Sequence, residues 1–392
     1  MAIRAITATG NAYIDGILAP NAWDHTEITY SYPSAASNYG AFYASNEQQS
    51  GFSQFSAGQQ AYVDARLAML SAYYIPITFT KITETDETHA IIRFANSSVP
   101  NPAHAYTPDN DPSGGDVWID PSQFSLGTPV VGTYTGFTYD HEIGHALGLK
   151  HAHEIGTTVP TDQNYVEFTI MSYGSFAGGG FGAFTIEANG YPTRPMTLDI
   201  RALQYIYGSV APGSGDITYK FNPTTGVITR NGSTIVTPPA NRIFTTQPPE
   251  RTSGVISWDL SDYTTDLDID LRPGEGSIFS DTQIASLGTN EDALANAYVP
   301  VMHGGETDAM PTRVKLGTGA DTVVGNSKAN TIALLGNRAD YTFGGSDPYT
   351  LVKSGEGLKT FTGIEVVEFA DETVQLYKLI GSRLVSINFT AV

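Results

Sequence analysis

The amino-acid sequence predicts two parts of different fold class: a mixed α/β part over residues 1–208 and an all-β part over residues 209–392. The first part combines apolar residues that alternate, as in strands, with apolar residues at helical spacing. The second part has short apolar runs separated by turns rich in Asp, Asn, Thr and Gly, and few convincing helices. A chain of 392 residues can bury two such cores. We place the connection near Ala211-Pro212-Gly213.

The strands of the first part are indicated by alternation, as in EITYSYP (27–33), where Ile28, Tyr30 and Tyr32 share one face. Further strand-like runs are ITFTKI (77–82), AIIRFAN (90–96) and GGDVWID (114–120).

Two helices are indicated by apolar residues three or four apart. The first follows Ser56, a good N-cap residue, and the second is TLDIRALQYIYG (197–208), which Gly208 should end. Their apolar faces contain Val63, Leu67, Leu70 and Tyr74 in the first helix, and Ile200, Leu203 and Tyr207 in the second.

Charge and composition narrow the classes of partner. A formal net charge of −20 argues against nucleic acid or an anionic membrane surface and favours cations. Cysteine is absent, so neither a disulfide nor a thiolate zinc ligand can form. No apolar run reaches the roughly 18 residues of a membrane span, and MAIRAITATGNAYIDG lacks a signal-peptide core. We therefore expect either an internal protein or export that does not use an N-terminal signal.

The segment TYDHEIGHALGLKHAHE (138–154) contains four of the eight histidines. On a helix, His141 and His145 project from one face, and Glu142 lies close enough to reach water on a shared metal ion. Gly148 then allows the backbone to leave the helix, so that His151 can return as a third ligand. The complete pattern is H-E-x-x-H-x-x-G-x-x-H.

This ligand set predicts a catalytic zinc site. Three neutral nitrogen ligands leave one position for water, and Glu142 can take the proton of that water during attack on a carbonyl. A bare H-E-x-x-H also arises by chance, and a structural zinc would have four protein ligands. Three histidines also accept other divalent ions. His153 lies outside the pattern and is expected at the surface or behind the ligands.

Met171 and Tyr173 follow in FTIMSYGSFAGGGFGAF (168–184). Alone, such residues usually belong to the core, but their position after a complete zinc motif favours a role at the site. HEIGHALGLKH followed by IMSYGS resembles the metzincin metalloproteases and, within them, the serralysin-like secreted proteases of Gram-negative bacteria. ITYSYP, FSAGQQ, GGDVWID and MTLDIRALQYIYG resemble them too. The resemblance covers residues 12–208 well and 209–392 more loosely.

The resemblance implies an α+β metzincin-type domain, with a twisted, mostly parallel sheet, two long helices and zinc at the bottom of a cleft. Met171 would supply the methionine turn under the zinc. Tyr173 would either ligate zinc or donate a hydrogen bond to the oxyanion. Protein or peptide substrates would pair as an extended strand along the sheet edge near Gly115 to Ile119. The implied protein is a monomeric secreted zinc endopeptidase, restrained by an inhibitor protein or by delayed folding.

The family's second domain is a calcium-loaded parallel β-roll that precedes a C-terminal signal for type I export. Here the segments LGTGADTVV (316–324), GNSKANTIA (325–333) and LLGNRADYT (334–342) tile at nine residues. Only the first approaches the calcium nonapeptide G-G-x-G-x-D-x-U-x. We therefore expect a partly β-roll-like domain with degenerate repeats, in which Asp321 is the candidate calcium ligand. The aspartates of 258–274 either bind calcium or face solvent.

Two other functions remain open from the sequence. One is an exported binding protein with a retired protease domain, which would be marked by a broken ligand or base, and none is broken here. The other is a zinc hydrolase acting on something other than peptides, against which the turn with Met171 and Tyr173 argues.

Overall fold

The computed structural model describes residues 2–40, 43–85, 87–124, 126–380 and 383–386. The α-helices are α1 (Ala12–Asp15), α2 (Ala57–Met69), α3 (Tyr134–Ala146) and α4 (Thr197–Tyr207). The strands before α3 are β1 (Ile3–Ala5), β2 (Asn21–Trp23), β3 (Glu27–Ser31), β4 (Ser53–Gln54), β5 (Thr78–Lys81), β6 (Ile92–Asn96), β7 (Ala103–Ala105) and β8 (Val117–Ile119). Within these ranges, no helix has both the length and the apolar character needed to cross a membrane.

The strands after α4 are short, as strands joined by frequent turns must be. They are β9 (Ile217–Phe221), β10 (Ile228–Arg230), β11 (Ser233–Val236), β12 (Thr245–Thr246), β13 (Ile256–Asp259), β14 (Asp268–Asp270), β15 (Gly276–Ser277), β16 (Ser286–Gly288), β17 (Glu291–Asp292), β18 (Ala297–Tyr298), β19 (Arg313–Lys315), β20 (Asp321–Val324), β21 (Thr331–Ala333), β22 (Thr342–Gly345), β23 (Tyr349–Val352), β24 (Lys359–Thr362), β25 (Val366–Glu368), β26 (Thr373–Gln375), β27 (Tyr377–Ile380) and β28 (Arg383–Ser386).

The first part contains a sheet in the order β5-β3-β6-β8-β7, with β4 also paired to β6. The pairs among β5, β3, β6 and β8 are parallel, whereas β4 and β7 run antiparallel to their neighbours. Each of the four strand-like segments of the sequence forms a strand of this sheet, which is mixed but mostly parallel.

The edge of this sheet differs from the expectation. The segment from Gly115 to Ile119 was expected at the edge, but β8 is paired on both sides, to β6 and to β7. Its apolar residues Val117, Trp118 and Ile119 are all buried. An uninterrupted apolar run suits an interior strand, whose two faces are both covered. The expectation is wrong, and the strand at this edge of the sheet is β7.

The helices begin and end where the sequence indicates. Ser56 caps α2 by accepting from Gln59 N, and the Gln59 side chain accepts from Ser56 N in return. After Met69 the chain continues as a π-helical turn over Leu70–Tyr74. Gly208 follows α4 with a φ of +86°, a conformation that favours glycine.

The centre of the second part is a coil of parallel strands that alternate between two sheets, and antiparallel strands extend both sheets. One sheet has the order β11-β10-β9-β13-β19-β21-β25-β26, and the other has the order β14-β20-β24-β23-β22. In chain order, β13, β14, β19, β20 and β21 alternate between these two sheets, with β15–β18 of other sheets inserted after β14, and their neighbours within each sheet are parallel. The part of 209–392 that the structure describes contains no α-helix. This arrangement agrees with a β-rich, roll-like second part.

Two large hydrophobic cores accompany these sheets. The first core surrounds α2, α3 and α4, and it also takes in Phe244, Leu287 and Tyr298 from beyond residue 208. The second core lies between the two sheets of the coil and contains Trp258 and Phe279. The second part therefore packs against the first, and the division at residue 208 stays a prediction.

Candidate metal centre

Helix α3 holds the first three residues of the motif in a buried setting. Thr133 caps the helix through its Oγ1, which accepts from Gly136 N. At the other end, the carbonyls of Ala146 and Leu147 accept from the indole of Trp23 and the hydroxyl of Tyr207. Both ends of the helix are thus fixed by hydrogen bonds, as a helix with buried ends requires.

The backbone turns sharply after the helix, as the sequence predicts at Gly148. Gly148 has a φ of +97°, and a Cβ there would lie 3.1 Å from the carbonyl oxygen of Asn21. Leu149 N donates back to Gly144 O, which closes the turn. The reversal brings His151 towards the face of the helix that carries the other two histidines.

The three histidines are held in one tautomer by their Nδ1 atoms. His141 Nδ1 lies 2.7 Å from the carbonyl oxygen of Ile170, and His145 Nδ1 lies 2.8 Å from that of Leu149. His151 Nδ1 lies 2.7 Å from a carboxylate oxygen of Glu154. Carbonyl and carboxylate oxygens only accept, so each Nδ1 carries the proton and each Nε2 offers its lone pair.

The three Nε2 atoms converge. His145 Nε2 lies 3.0 Å from His151 Nε2, and the ligand atoms of all three histidines lie within 4.8 Å of one another. Burial, together with the neighbouring imidazoles, lowers the pKa of His141 to about 3 and also lowers the pKa of His145 and His151. The neutral imidazoles are therefore in the form that binds metal.

This donor set fits zinc. Three neutral imidazoles whose outer nitrogens are hydrogen-bonded are typical of zinc centres. Zinc–nitrogen bonds of about 2.0–2.1 Å place tetrahedral ligands about 3.3 Å apart, close to the separation of the two nearest Nε2 atoms. Without a cation, two lone pairs facing each other at 3.0 Å would repel.

Glu142 lies beside the histidines without a partner of its own. Its side chain is buried, and its Oε2 has no hydrogen-bond partner among the described residues. Burial raises the pKa of Glu142 to about 8. A buried carboxylate without a hydrogen bond is expensive, so its position here points to use in chemistry.

Tyr173 and Met171 both lie next to the histidine motif of α3. The Tyr173 hydroxyl is 2.8 Å from His151 Nε2, on the side where the ligands converge, and burial raises its pKa to about 12. Met171 is fully buried beneath the helix, with its Sδ against Gly144. The hydroxyl of Tyr173 is therefore within reach of anything bound between the histidines.

Two buried carboxylates that the sequence analysis missed support this arrangement. Asp140 forms a two-pronged ion pair with Arg66 of α2, at 2.7 and 2.5 Å. Asp199 of α4 accepts from Thr169 Oγ1 and from the backbone N–H of Ile170, whose carbonyl orients His141. Only Asp140 had a sequence signal, since it directly precedes the first ligand.

Two residues near the third histidine, His153 and Glu154, make different contacts. His153 is partly exposed and stacks between Tyr173 and Phe181, and its Nδ1 has no partner among the described residues. Glu154, which holds His151, was not anticipated, although its spacing of three residues was a usable signal. Among the residues described, the group able to hold a metal consists of the three histidines of the motif.

A cavity of about 430 Å³ opens beside Glu142. One wall comes from the edge of the sheet, at Ala103 and the two residues before it. Five phenylalanine and tyrosine rings also line the cavity, and two of them, Phe137 and Tyr191, lie 5.3 Å apart between ring centres. The other three rings are Tyr134, Tyr173 and Phe184.

Asp321, the candidate calcium ligand, is buried far along the chain from these histidines. Its Oδ2 lies 2.7 Å from the Nζ of Lys359, and its Oδ1 accepts from Leu267 N. Both carboxylate oxygens are therefore engaged by donors of the chain itself. The resemblance implies an export signal in the C-terminal part of 209–392, and residues 381–382 and 387–392 of that part lie outside the described residues.

Comparison with curated proteins finds relatives that are named metalloprotease or serralysin. No family model matches the chain. The chain is 30% identical over 301 residues to metalloprotease AprA of Pseudomonas entomophila (strain L48), covering 72% of this chain and 56% of that protein. It is 28% identical over 310 residues to serralysin of Proteus mirabilis, covering 72% and 60%. It is 30% identical over 264 residues to serralysin A of Dickeya chrysanthemi, covering 63% and 53%.

The chain spans about half the length of the curated relatives it matches. Those relatives carry names of metalloproteases, and the chain shares with them a length of sequence much longer than the zinc motif alone. Together with the converging histidines of α3 and the turn after it, this similarity identifies the chain as a member of the serralysin-like metalloproteases.

Proposed function

We propose that the chain is a secreted zinc endopeptidase, in which His141, His145 and His151 hold the metal and Glu142 is the base. The observation that carries this proposal is the convergence of three neutral Nε2 lone pairs beside a buried carboxylate without a hydrogen-bond partner. The similarity to proteins named serralysin supports the same activity.

Zinc in such a site would supply a Lewis acid that polarises the scissile carbonyl and makes water acidic enough to lose a proton near pH 7. Glu142 takes that proton as the water oxygen attacks the carbonyl carbon. It then passes the proton to the leaving nitrogen as the C–N bond breaks, so that a carboxylate and an amine leave. Burial alone raises the pKa of Glu142 to about 8, and a cation held by the three histidines would lower that pKa, so that the free Oε2 can accept the proton near pH 7.

Tyr173 has the role of donor to the developing oxyanion. Its hydroxyl lies 2.8 Å from His151 Nε2, and its raised pKa keeps the phenol protonated at neutral pH. A protonated phenol aimed at new negative charge stabilises the transition state. Binding of metal would displace the hydroxyl from His151 Nε2, after which it can either ligate the metal or face the substrate.

Substrate would lie along β7, the strand at the edge of the sheet. Its described pairing is with β8 alone, which leaves one row of backbone groups for an extended peptide. Backbone pairing gives affinity with little sequence demand. The cavity beside Glu142, lined by Phe137 and Tyr191, would take an apolar or aromatic side chain next to the scissile bond.

The test of this function uses the purified chain and denatured casein. Removal of metal with a chelator should abolish cleavage, and stoichiometric zinc should restore it. Sequencing of the products should show a preference for large apolar residues beside the cleaved bond. Cleavage that survives in metal-free protein would contradict the proposal.

Export by a type I system is part of the proposal and rests on the family resemblance, with support from the absence of cysteine and the charge of −20. Protein substrates, an inhibitor protein and a monomeric state are proposed on the same basis. Co-expression with a type I exporter should move the chain into the medium, and retention in cells would contradict export. Sedimentation of the purified chain tests the monomer.

A further inference from the structure

The turn before β20 encloses a lysine ammonium. Lys359, on the neighbouring strand β24, donates to the carbonyls of Gly317 and Gly319 at 3.0 and 2.5 Å. It also donates to Asp321 Oδ2 at 2.7 Å. The side chains of Lys359 and Asp321 are 1% and 0% exposed, so this cluster is shut off from water.

The oxygens around this ammonium are those of a calcium-type turn. Gly317, Gly319 and Asp321 match the second glycine, the third glycine and the aspartate of the nonapeptide motif. Backbone carbonyls and carboxylates are the oxygen ligands that calcium prefers. Asp321 and Lys359 are direct register partners in the parallel pair of β20 and β24. The next turn of the coil therefore places an ammonium opposite the aspartate.

In the next nonapeptide, a side-chain amide donates to the equivalent pair of carbonyls. Asn326, Lys328 and Asn330 stand nine residues after Gly317, Gly319 and Asp321. The Asn330 Nδ2 donates to the carbonyls of Asn326 and Lys328, and its Oδ1 accepts from Asn326 N. Asn330 is fully buried. In both turns, the same pair of carbonyls receives N–H donors from the chain.

Calcium does not fit these turns as they stand. Calcium takes six to eight oxygen ligands, but the space between the carbonyls is filled by nitrogen in both turns. Nor do three acidic or imidazole side chains converge elsewhere in the described part of the coil. In 258–274, Asp259 accepts from Ser261, and Asp266 accepts from Ala320 N.

We propose that Lys359 and Asn330 replace calcium in this coil, so that its nonapeptide turns fold without the ion. Lys359 neutralises the buried Asp321 and satisfies two carbonyls, which are the tasks that a bound cation would perform. Asn330 stands in the place of the aspartate itself, so its turn lacks that buried charge; the half-buried Glu365 carboxylate beside it accepts from Asn330 N, and the amide satisfies the two carbonyls. The second part of the chain is therefore stable in calcium-free medium.

The test follows hydrogen exchange in peptides covering β19–β21 and β24–β25 of the full chain, in the Glu142→Gln background to prevent self-digestion. Calcium is removed with a chelating resin, and zinc is added back. Without other changes, exchange should be the same with and without 5 mM calcium. Loss of protection in calcium-free buffer would overturn the proposal.

Two variants test the donors themselves. Asn330→Asp is isosteric but turns the amide donor into an acceptor, so exchange in β21 should rise about tenfold or more without calcium. Lys359→Met should raise exchange in β20 and β24 by a similar factor. The controls are Asn290→Asp and Lys220→Met, which change an exposed asparagine and an exposed ion pair. If the hydrogen-exchange rate of either test variant equals that of its control, the proposal is overturned.

Discussion

Replacing Gly144 with alanine tests how closely the helix of the metal site is coupled to the turn beneath it. Gly144 is buried inside α3, between Glu142 and His145. A Cβ at this position would lie 2.8 Å from the Sδ of Met171 and 3.6 Å from its Cε. Ordinary contacts are at least about 3.4 Å, so the methionine would have to move by about 0.6 Å or more.

Two opposing effects set the magnitude. Alanine gains about 1 kcal/mol over glycine in a helix interior. Overpacking of a filled core costs about 1–3 kcal/mol. Gly144→Ala should therefore lower the free energy of unfolding by about 0–2 kcal/mol in an otherwise unchanged chain.

In a Met171→Ala background, the expected sign reverses. The sulfur is gone, so the helix preference of about 1 kcal/mol remains and the new methyl group fills part of the cavity. Gly144→Ala should then raise the stability relative to Met171→Ala alone. The coupling between the two sites should be about 1–3 kcal/mol.

The assay is urea unfolding of the four members of this cycle, all carrying Glu142→Gln so that the chain does not digest itself. Zinc affinity is measured alongside, because movement of Met171 carries with it the Ile170 carbonyl that orients His141. Loss of such an outer contact lowers metal affinity about 10–100-fold. Equal effects of Gly144→Ala in both backgrounds would refute the reasoning.

Three further substitutions probe separate contacts. Tyr173→Phe removes an oxyanion donor and should lower kcat about 100-fold with the zinc content unchanged. If the variant instead loses zinc, the hydroxyl is a structural ligand of the metal. Glu154→Ala should weaken zinc binding about tenfold, because His151 Nδ1 loses its acceptor. Glu154→Gln, which keeps an acceptor, should retain most of the affinity, and equal losses in the two variants would point to charge rather than orientation. Arg66→Met leaves Asp140 buried without its ion pair and should cost about 3–5 kcal/mol in the free energy of unfolding. Lys81→Met, at an exposed ion pair with Asp64, should cost less than about 1 kcal/mol, and similar losses in the two variants would contradict the assigned burial.

The parts of the fold that depend on local patterns could be predicted from the sequence. Alternation predicted the strand around Tyr30, a strand-like apolar run predicted the strand around Phe94, and a capping residue predicted the start of α2 at Ser56. The backbone turn at Gly148 followed from the spacing of the third histidine, because only a left-handed residue can reverse the chain so soon.

The position of strands within the sheet was harder to predict. The edge strand β7 has only the residues Ala-His-Ala, and an alternation of three residues is too short to predict a strand. The run Val117 to Ile119 did contain a signal for an interior strand, since three consecutive apolar residues favour a strand covered on both faces.

Contacts between residues far apart along the chain could not be predicted from the sequence. Lys359 is 38 residues from Asp321, and their pairing depends on the register of two coil turns. The same applies to Arg66 and Asp140, which are 74 residues apart. In the sequence, Lys359 and Arg66 resemble ordinary surface residues. A charged side chain is rarely buried unless it is paired, and the sequence does not show which residue is its partner.

The central claim is that Glu142 performs the proton transfer at a zinc held by three histidines. Its most direct test compares the unchanged chain with Glu142→Gln, measuring zinc content and casein cleavage on the same samples. The account predicts one zinc in each and cleavage slower by orders of magnitude in the variant, since the ligands are intact and only the base is lost. Cleavage by the zinc-loaded variant at the unchanged rate would contradict it.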